Sequence, residues 1–166
     1  MQIQISPVEL NPDEERFVDM LKGYTEMHKT DFADKGLYLL RNKSKSGMGF
    51  FEAGNFYPDF ILWIDTEQVQ YISFIDPKGL RNIPFKNPKI QFGKRIKEIE
   101  TRLQTSGAEK RIVLNSFIMS GTPSNILNEM WPDIDVHKRE DNNVYLLEDS
   151  DCVEKMITKI LSSTSQ

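Results

Sequence analysis

Apolar residues recur along this chain at two spacings, which change from helical to strand-like and back. Phe17, Leu21 and Tyr24 share one face of a helix within NPDEERFVDMLKGYTEMHK. Asn11 stands where an N-cap belongs, Pro12 fits the first helical position and Glu14 the third, so the helix is expected to start there. GLYLLRN (36–42) reads as a short strand, followed by the basic loop RNKSKSG and then FFEAG. Two strands, about 55–64 and 70–77, flank a polar turn at DTEQV. Phe92, Ile96, Ile99 and Leu103 form a second helical stripe in NPKIQFGKRIKEIETRLQTSG, with Gly107 as its expected stop. RIVLNSFIM (111–119) is a near-continuous apolar run, as a central strand covered on both faces requires. A short helix after TPSN, a strand at 143–148 and a helix at 151–161 complete the pattern.

This order predicts an α/β fold, a mixed sheet between helices, built as one domain over residues 1–166. Its core spans about 11–119, and a smaller α/β extension occupies 120–166. There is no internal repeat and no low-complexity linker.

Composition changes the picture in three places. With 39% hydrophobic and 28% charged residues, the chain is expected to be soluble and globular rather than disordered. Its single cysteine, Cys152, excludes an internal disulfide, and the N-terminus lacks the basic start and apolar core of a signal peptide. No apolar run is as long as a membrane span, so a cytoplasmic protein, or a piece cut from a longer one, is expected. The net charge of −4 argues against a general polyanion binder. Basic residues nevertheless cluster between positions 81 and 111, where only Glu98, Glu100 and Glu109 oppose them. Taken alone, that cluster is equally well a solvated helix face.

The candidate chemistry lies in FYPDFILWIDTEQVQYISFIDPKGL, which puts carboxylates and a lysine into one of the most apolar stretches of the chain. A tight turn centred on Glu67 and Gln68 would place Asp59 opposite Asp76, Ile61 opposite Phe74 and Trp63 opposite Ile72. Side chains alternate faces along a strand, so Asp59, Asp76 and Lys78 would then share one face. The other face would carry Phe60, Leu62, Ile64, Tyr71 and Ile75. Two carboxylates directly opposite repel, and a divalent cation between them removes that cost. Hard oxygen ligands suit Mg²⁺. Lys78 could orient a water or stabilise charge on a phosphate, and metal plus lysine equips a site for phosphodiester hydrolysis. The plainer reading is turn chemistry, since Pro-Asp and Asp-Pro-Lys-Gly both favour turns. WPDIDV has a Pro-Asp too, without an acid-x-Lys on a partner strand, and Pro132-Asp133 is read as a turn.

Pro58-Asp59, followed after the hairpin by Asp76-Pro77-Lys78, resembles the PD-(D/E)xK motif of restriction-endonuclease-like nucleases. The wider string is similar to the C-terminal nuclease domain of type III restriction enzyme Res subunits and related helicase-nucleases. The resemblance covers about 11–119 and implies an α-β-β-β-α-β core, a mixed central sheet flanked by helices. It implies a Mg²⁺- (or Mn²⁺-) dependent endonuclease acting on DNA within a restriction-modification or DNA-processing system. It further implies a helicase or translocase region and a modification subunit as partners. In that family's pattern Asp59 and Asp76 would be metal ligands and Lys78 the catalytic lysine. Many members add a glutamate from the first helix, here Glu14, on the stripe of Phe17 and Leu21. Glu14 also stands where a capping-box acid belongs, and both readings are open; Glu15 points off the stripe. Lys89 and Gln91 are candidate contributors from the second helix, and Glu52 a supporting or surface residue.

DNA phosphates would meet Arg81, Lys86, Lys94 and Arg95, with Arg41, Lys43 and Lys45 as a loop clamp. The alternative from another class is a non-catalytic DNA-binding or docking module on the same fold. A third reading is a structural α/β domain whose Asp59 and Asp76 lie far apart or face water separately. His28 and His137 are expected at the surface or a helix end, and Cys152 in the core. One cysteine and two histidines give no zinc spacing, and without GxxxxGK[ST] the chain carries no ATP site.

Overall fold

Asn11 opens the first helix by reciprocal capping. Its side chain accepts from the Glu14 N–H at 3.0 Å, and the Glu14 carboxylate accepts from the Asn11 N–H at 3.0 Å. The computed structural model describes residues 2–4 (backbone path), 9–42, 45–50, 53–104, 107 and 109–163. The elements are β1 (Gln2–Gln4), α1 (Pro12–Met27), β2 (Gly36–Arg41), β3 (Phe60–Asp65), β4 (Val69–Lys78) and α2 (Pro88–Gln104). β5 (Arg111–Ser120), α3 (Ser124–Met130), α4 (Val136–Asp141), β6 (Val144–Leu146) and α5 (Cys152–Ser162) follow.

The strands form one mixed sheet in the order β1-β2-β3-β4-β5-β6. β2, β3 and β4 pair antiparallel, while β1–β2, β4–β5 and β5–β6 are parallel. Parallel neighbours need a crossover, which α2 supplies between β4 and β5, and α3 with α4 between β5 and β6. The β3–β4 hairpin has the expected register, with Ile61 opposite Phe74 and Trp63 opposite Ile72.

α1 and α5 cover one face of the sheet. Phe17, Leu21, Met156 and Ile160 pack there with Leu62, Ile75, Val113 and Phe117. α2 covers the other face, where Phe92 and Ile96 meet Ile61, Phe74 and Leu114. Each of these fully buried side chains contributes about 1.5–3 kcal/mol of hydrophobic stabilisation. A third cluster, Leu80, Ile90, Ile118, Leu127 and Trp131, closes the end of the sheet where β4 and β5 finish. The 120–166 extension adds Tyr145, Leu147, Cys152 and Val153 to the α1 core, so it shares the domain's core.

α2 lies unusually close to β5 at Gly93. A Cβ there would stand 2.9 Å from the Asn142 carbonyl oxygen and 3.2 Å from that of Ser116. The Asn142-Asn143 turn is itself docked on β5, since Asn143 Nδ2 donates to Ser116 O at 3.0 Å.

Several boundaries differ from the pattern-based expectation. β3 starts at Phe60 rather than near 55, because Gly54 and Asn55 take positive φ (70° and 57°) and Pro58 has no N–H to enter a ladder. β1 and α4 were not anticipated: one is three residues long, and the other, VHKRED, buries only Arg139. Leu103 ends the α2 stripe exposed, and Ile99 is half-buried. Cys152 is buried as expected, His28 caps the end of α1, His137 is exposed, and Pro132-Asp133 forms a turn. Among the described residues, no helix is long and apolar enough to cross a membrane.

Candidate functional site

The hairpin register carries Asp59 and Asp76 toward each other just beyond the last β3–β4 pair, Phe60 with Ile75. Asp59 immediately precedes β3, while Asp76 lies within β4 and is 4% exposed. Burial, the adjoining Asp76 carboxyl as a hydrogen-bonding neighbour and its charge push Asp59 up to about 8, and the Glu14 charge adds to the rise. Lys78 opposes it from the same face and forms an ion pair with Asp76. Asp59 and Asp76 thus do not lie apart or face water separately, as turn residues would.

The pair opens into a cleft of about 540 Å³ at the end of the sheet, bounded by the N-terminus of α1. Its charged lining is Asp13, Glu14, Asp59, Asp76, Lys78 and Lys89. Phe56 forms an apolar wall, with Lys78 Nζ 5.6 Å and Lys89 Nζ 6.0 Å from its ring centroid. Pro77 and Gly79 bring the β4 backbone itself to the cleft.

Glu14 is buried and lines this cleft as well as capping α1. Arg41, at the end of β2, donates to Glu14 Oε2 at 2.9 Å and to the Glu9 carbonyl at 3.4 Å. The capping-box expectation for Glu14 therefore holds, and its carboxylate is also neutralised by a cation.

Two residues of the cleft were missed from sequence. Asp13 looked like an ordinary acid of a first helical turn, yet a Cβ on Gly121 would fall 2.1 Å from its Oδ1. Gly121 stood in a loop, SGTPS, with no sign that α1 would approach it. Phe56 carried one signal, its place two residues before Pro58.

Lys89 reaches the cleft, whereas Gln91 turns away and donates to the Phe85 carbonyl at 2.8 Å. Arg81, Lys86, Lys94, Arg95 and Lys45 are exposed outside the cleft lining. Lys94 lies near Lys97 and Lys159; Lys159 is lowered chiefly by burial and further by these two charges. Lys43 and Glu52 fall outside the described residues.

The chemistry of the donor set is that of two hard carboxylates beside a lysine in an open cleft. Mg²⁺ commonly keeps several waters and takes one or two carboxylates, so Asp59 and Asp76 fit such an ion. Among the described residues no group of three His, Cys, Asp or Glu is arranged to hold a metal, and Glu14 Oε2 is engaged by Arg41 and by the Asn11 N–H. Comparisons with family models, with curated proteins and with solved structures found no match.

Proposed function

We propose that the cleft is the active site of a metal-dependent endodeoxyribonuclease of the PD-(D/E)xK type. The observation that carries this reading is the meeting of Asp59 and Asp76 across the hairpin, with Lys78 on the same face. The succession α1-β2-β3-β4-α2-β5 supports a restriction-endonuclease-like core. Asp59 and Asp76 would hold Mg²⁺ or Mn²⁺, which when bound supplies an activated water and offsets phosphate charge. Lys78 would exchange its contact with Asp76 for one with the scissile phosphate, stabilising charge as it builds there. Lys89 would place a second positive charge on the wall of the cleft. Arg81, Lys86, Lys94 and Arg95, with Lys45, would hold flanking phosphates without reading bases, whereas Arg41, expected in that clamp, ends β2 and is paired with Glu14. Glu14 shapes the field at Asp59, while its Oε2 is held by Arg41 and the Asn11 N–H.

That capture of Glu14 favours a second reading, a non-catalytic DNA-binding or docking module on the same fold. Incubating the protein with linear, nicked and branched DNA in Mg²⁺ or Mn²⁺ separates the two. The nuclease reading expects cleavage that Asp59→Ala abolishes. Intact DNA in every form, with Asp59→Ala binding DNA as well as or better than wild type, would support the binding module. A helicase or translocase region and a modification subunit are the partners this nuclease reading carries with it, and the cytoplasm its compartment.

A further inference from the structure

Asp59 stands outside the β3 ladder, and the residue before it is a proline with no N–H. Something other than sheet pairing must fix it. The Asn42 N–H donates to the Asp59 carbonyl at 2.8 Å. The Asn42 side chain then uses both of its donors on main-chain carbonyls, Pro58 O at 2.9 Å and Met48 O at 2.6 Å. Its Oδ1 accepts from the Met48 N–H at 2.9 Å. Asn42 thus holds both peptides that flank the Asp59 Cα to the end of β2, one through its main-chain N–H and one through its side chain, and the side chain ties that clamp to the far side of the basic loop. Aspartate at 42 would lose both donors and set a charge against two carbonyls; serine could not span both.

We infer that Asn42 is a positioning residue for Asp59. This rests on the nuclease reading for its consequence in catalysis, but not for its structural content. A carboxylate that binds an ion or reacting group must be held within about half an ångström, and losing such support typically costs 10–100-fold in metal affinity or activity. Through Met48, Asn42 also joins the segment after Lys45 to the site.

The test compares wild type with Asn42→Asp and Asn42→Ala by three readouts: Mn²⁺ affinity, kcat and KM on DNA, and the Asp59 carboxyl carbon resonance in metal-free protein. Positioning predicts a displaced Asp59 resonance in both variants. It predicts Mn²⁺ affinity and kcat lowered about tenfold or more, with KM for DNA changed little. A raised KM with kcat, Mn²⁺ affinity and the resonance all unchanged would overturn it, leaving Asn42 as a loop anchor. A lowered melting temperature with those three unchanged would likewise overturn it. If wild type neither binds Mn²⁺ nor cuts DNA, the nuclease reading falls. A displaced Asp59 resonance would then still establish the clamp, and an unmoved one would reject it.

Discussion

Asp59 and Asp76 face each other across a hairpin just beyond its last pair, Phe60 with Ile75, and Lys78 forms an ion pair with Asp76. Two carboxyls so placed cannot both be ionised without cost. Most of the electrostatic behaviour expected of this protein follows from that pair.

Stability should depend on pH through Asp59. Its folded pKa, about 8, lies above the ordinary 3.8, so the native state holds a proton that the unfolded chain releases. The stabilising contribution is fully present below the unfolded value and is lost as pH rises through the folded one. The window is therefore about pH 4 to 8. Asp59 is only half-buried, and after allowance for solvent screening the effect is on the order of 1–2 kcal/mol. Melting curves of wild type and Asp59→Asn across that window should converge at low pH and separate at high pH, with the variant the more stable. Added Mn²⁺ should oppose the wild-type slope by favouring the ionised pair.

Lys78→Met should separate binding from chemistry. Removing the ammonium leaves both carboxylates in place and takes away the cation beside them, so Mn²⁺ affinity should be kept or increased. DNA cleavage should fall by about 10²–10³-fold, as for loss of a group that stabilises transition-state charge. Single-turnover rates at saturating Mn²⁺ would show the difference.

Arg41→Ala should destabilise the fold by about 2 kcal/mol, because the buried Glu14 carboxylate loses a close cation while its role as helix cap remains. Denaturant midpoints measure this. Pairing the variant with Glu14→Gln in a double-mutant cycle should recover much of the loss.

How much of this was legible beforehand can be judged from particular residues. The hairpin register was, because strand alternation and one tight turn leave few choices, and Ile61–Phe74 with Trp63–Ile72 followed from it. Asn11, Pro12 and Glu14 marked the start of α1 by local chemistry alone. What was not legible depends on approaches between distant segments. Arg41 meets Glu14 27 positions away, and Asp13 comes to rest over Gly121. Asn42 looked like the last residue of a strand, since nothing in RNKSKSG shows that its amide spans to Pro58. The spread basic cluster was legible as composition, but of its members in α2 only Lys89 reaches the cleft.

Gly93→Ala tests the close approach that sets α2 on the sheet. The added Cβ would press on two main-chain carbonyls, which cannot rotate away as a side chain would. A loss of about 1–3 kcal/mol is expected in chemical denaturation, without change in metal affinity.

The most direct test of the central claim is a calorimetric titration of Mn²⁺ into wild type and into Asp76→Ala. The account predicts saturable binding by wild type that Asp76→Ala loses. Equal binding by both proteins, or none by wild type with or without DNA present, would contradict it.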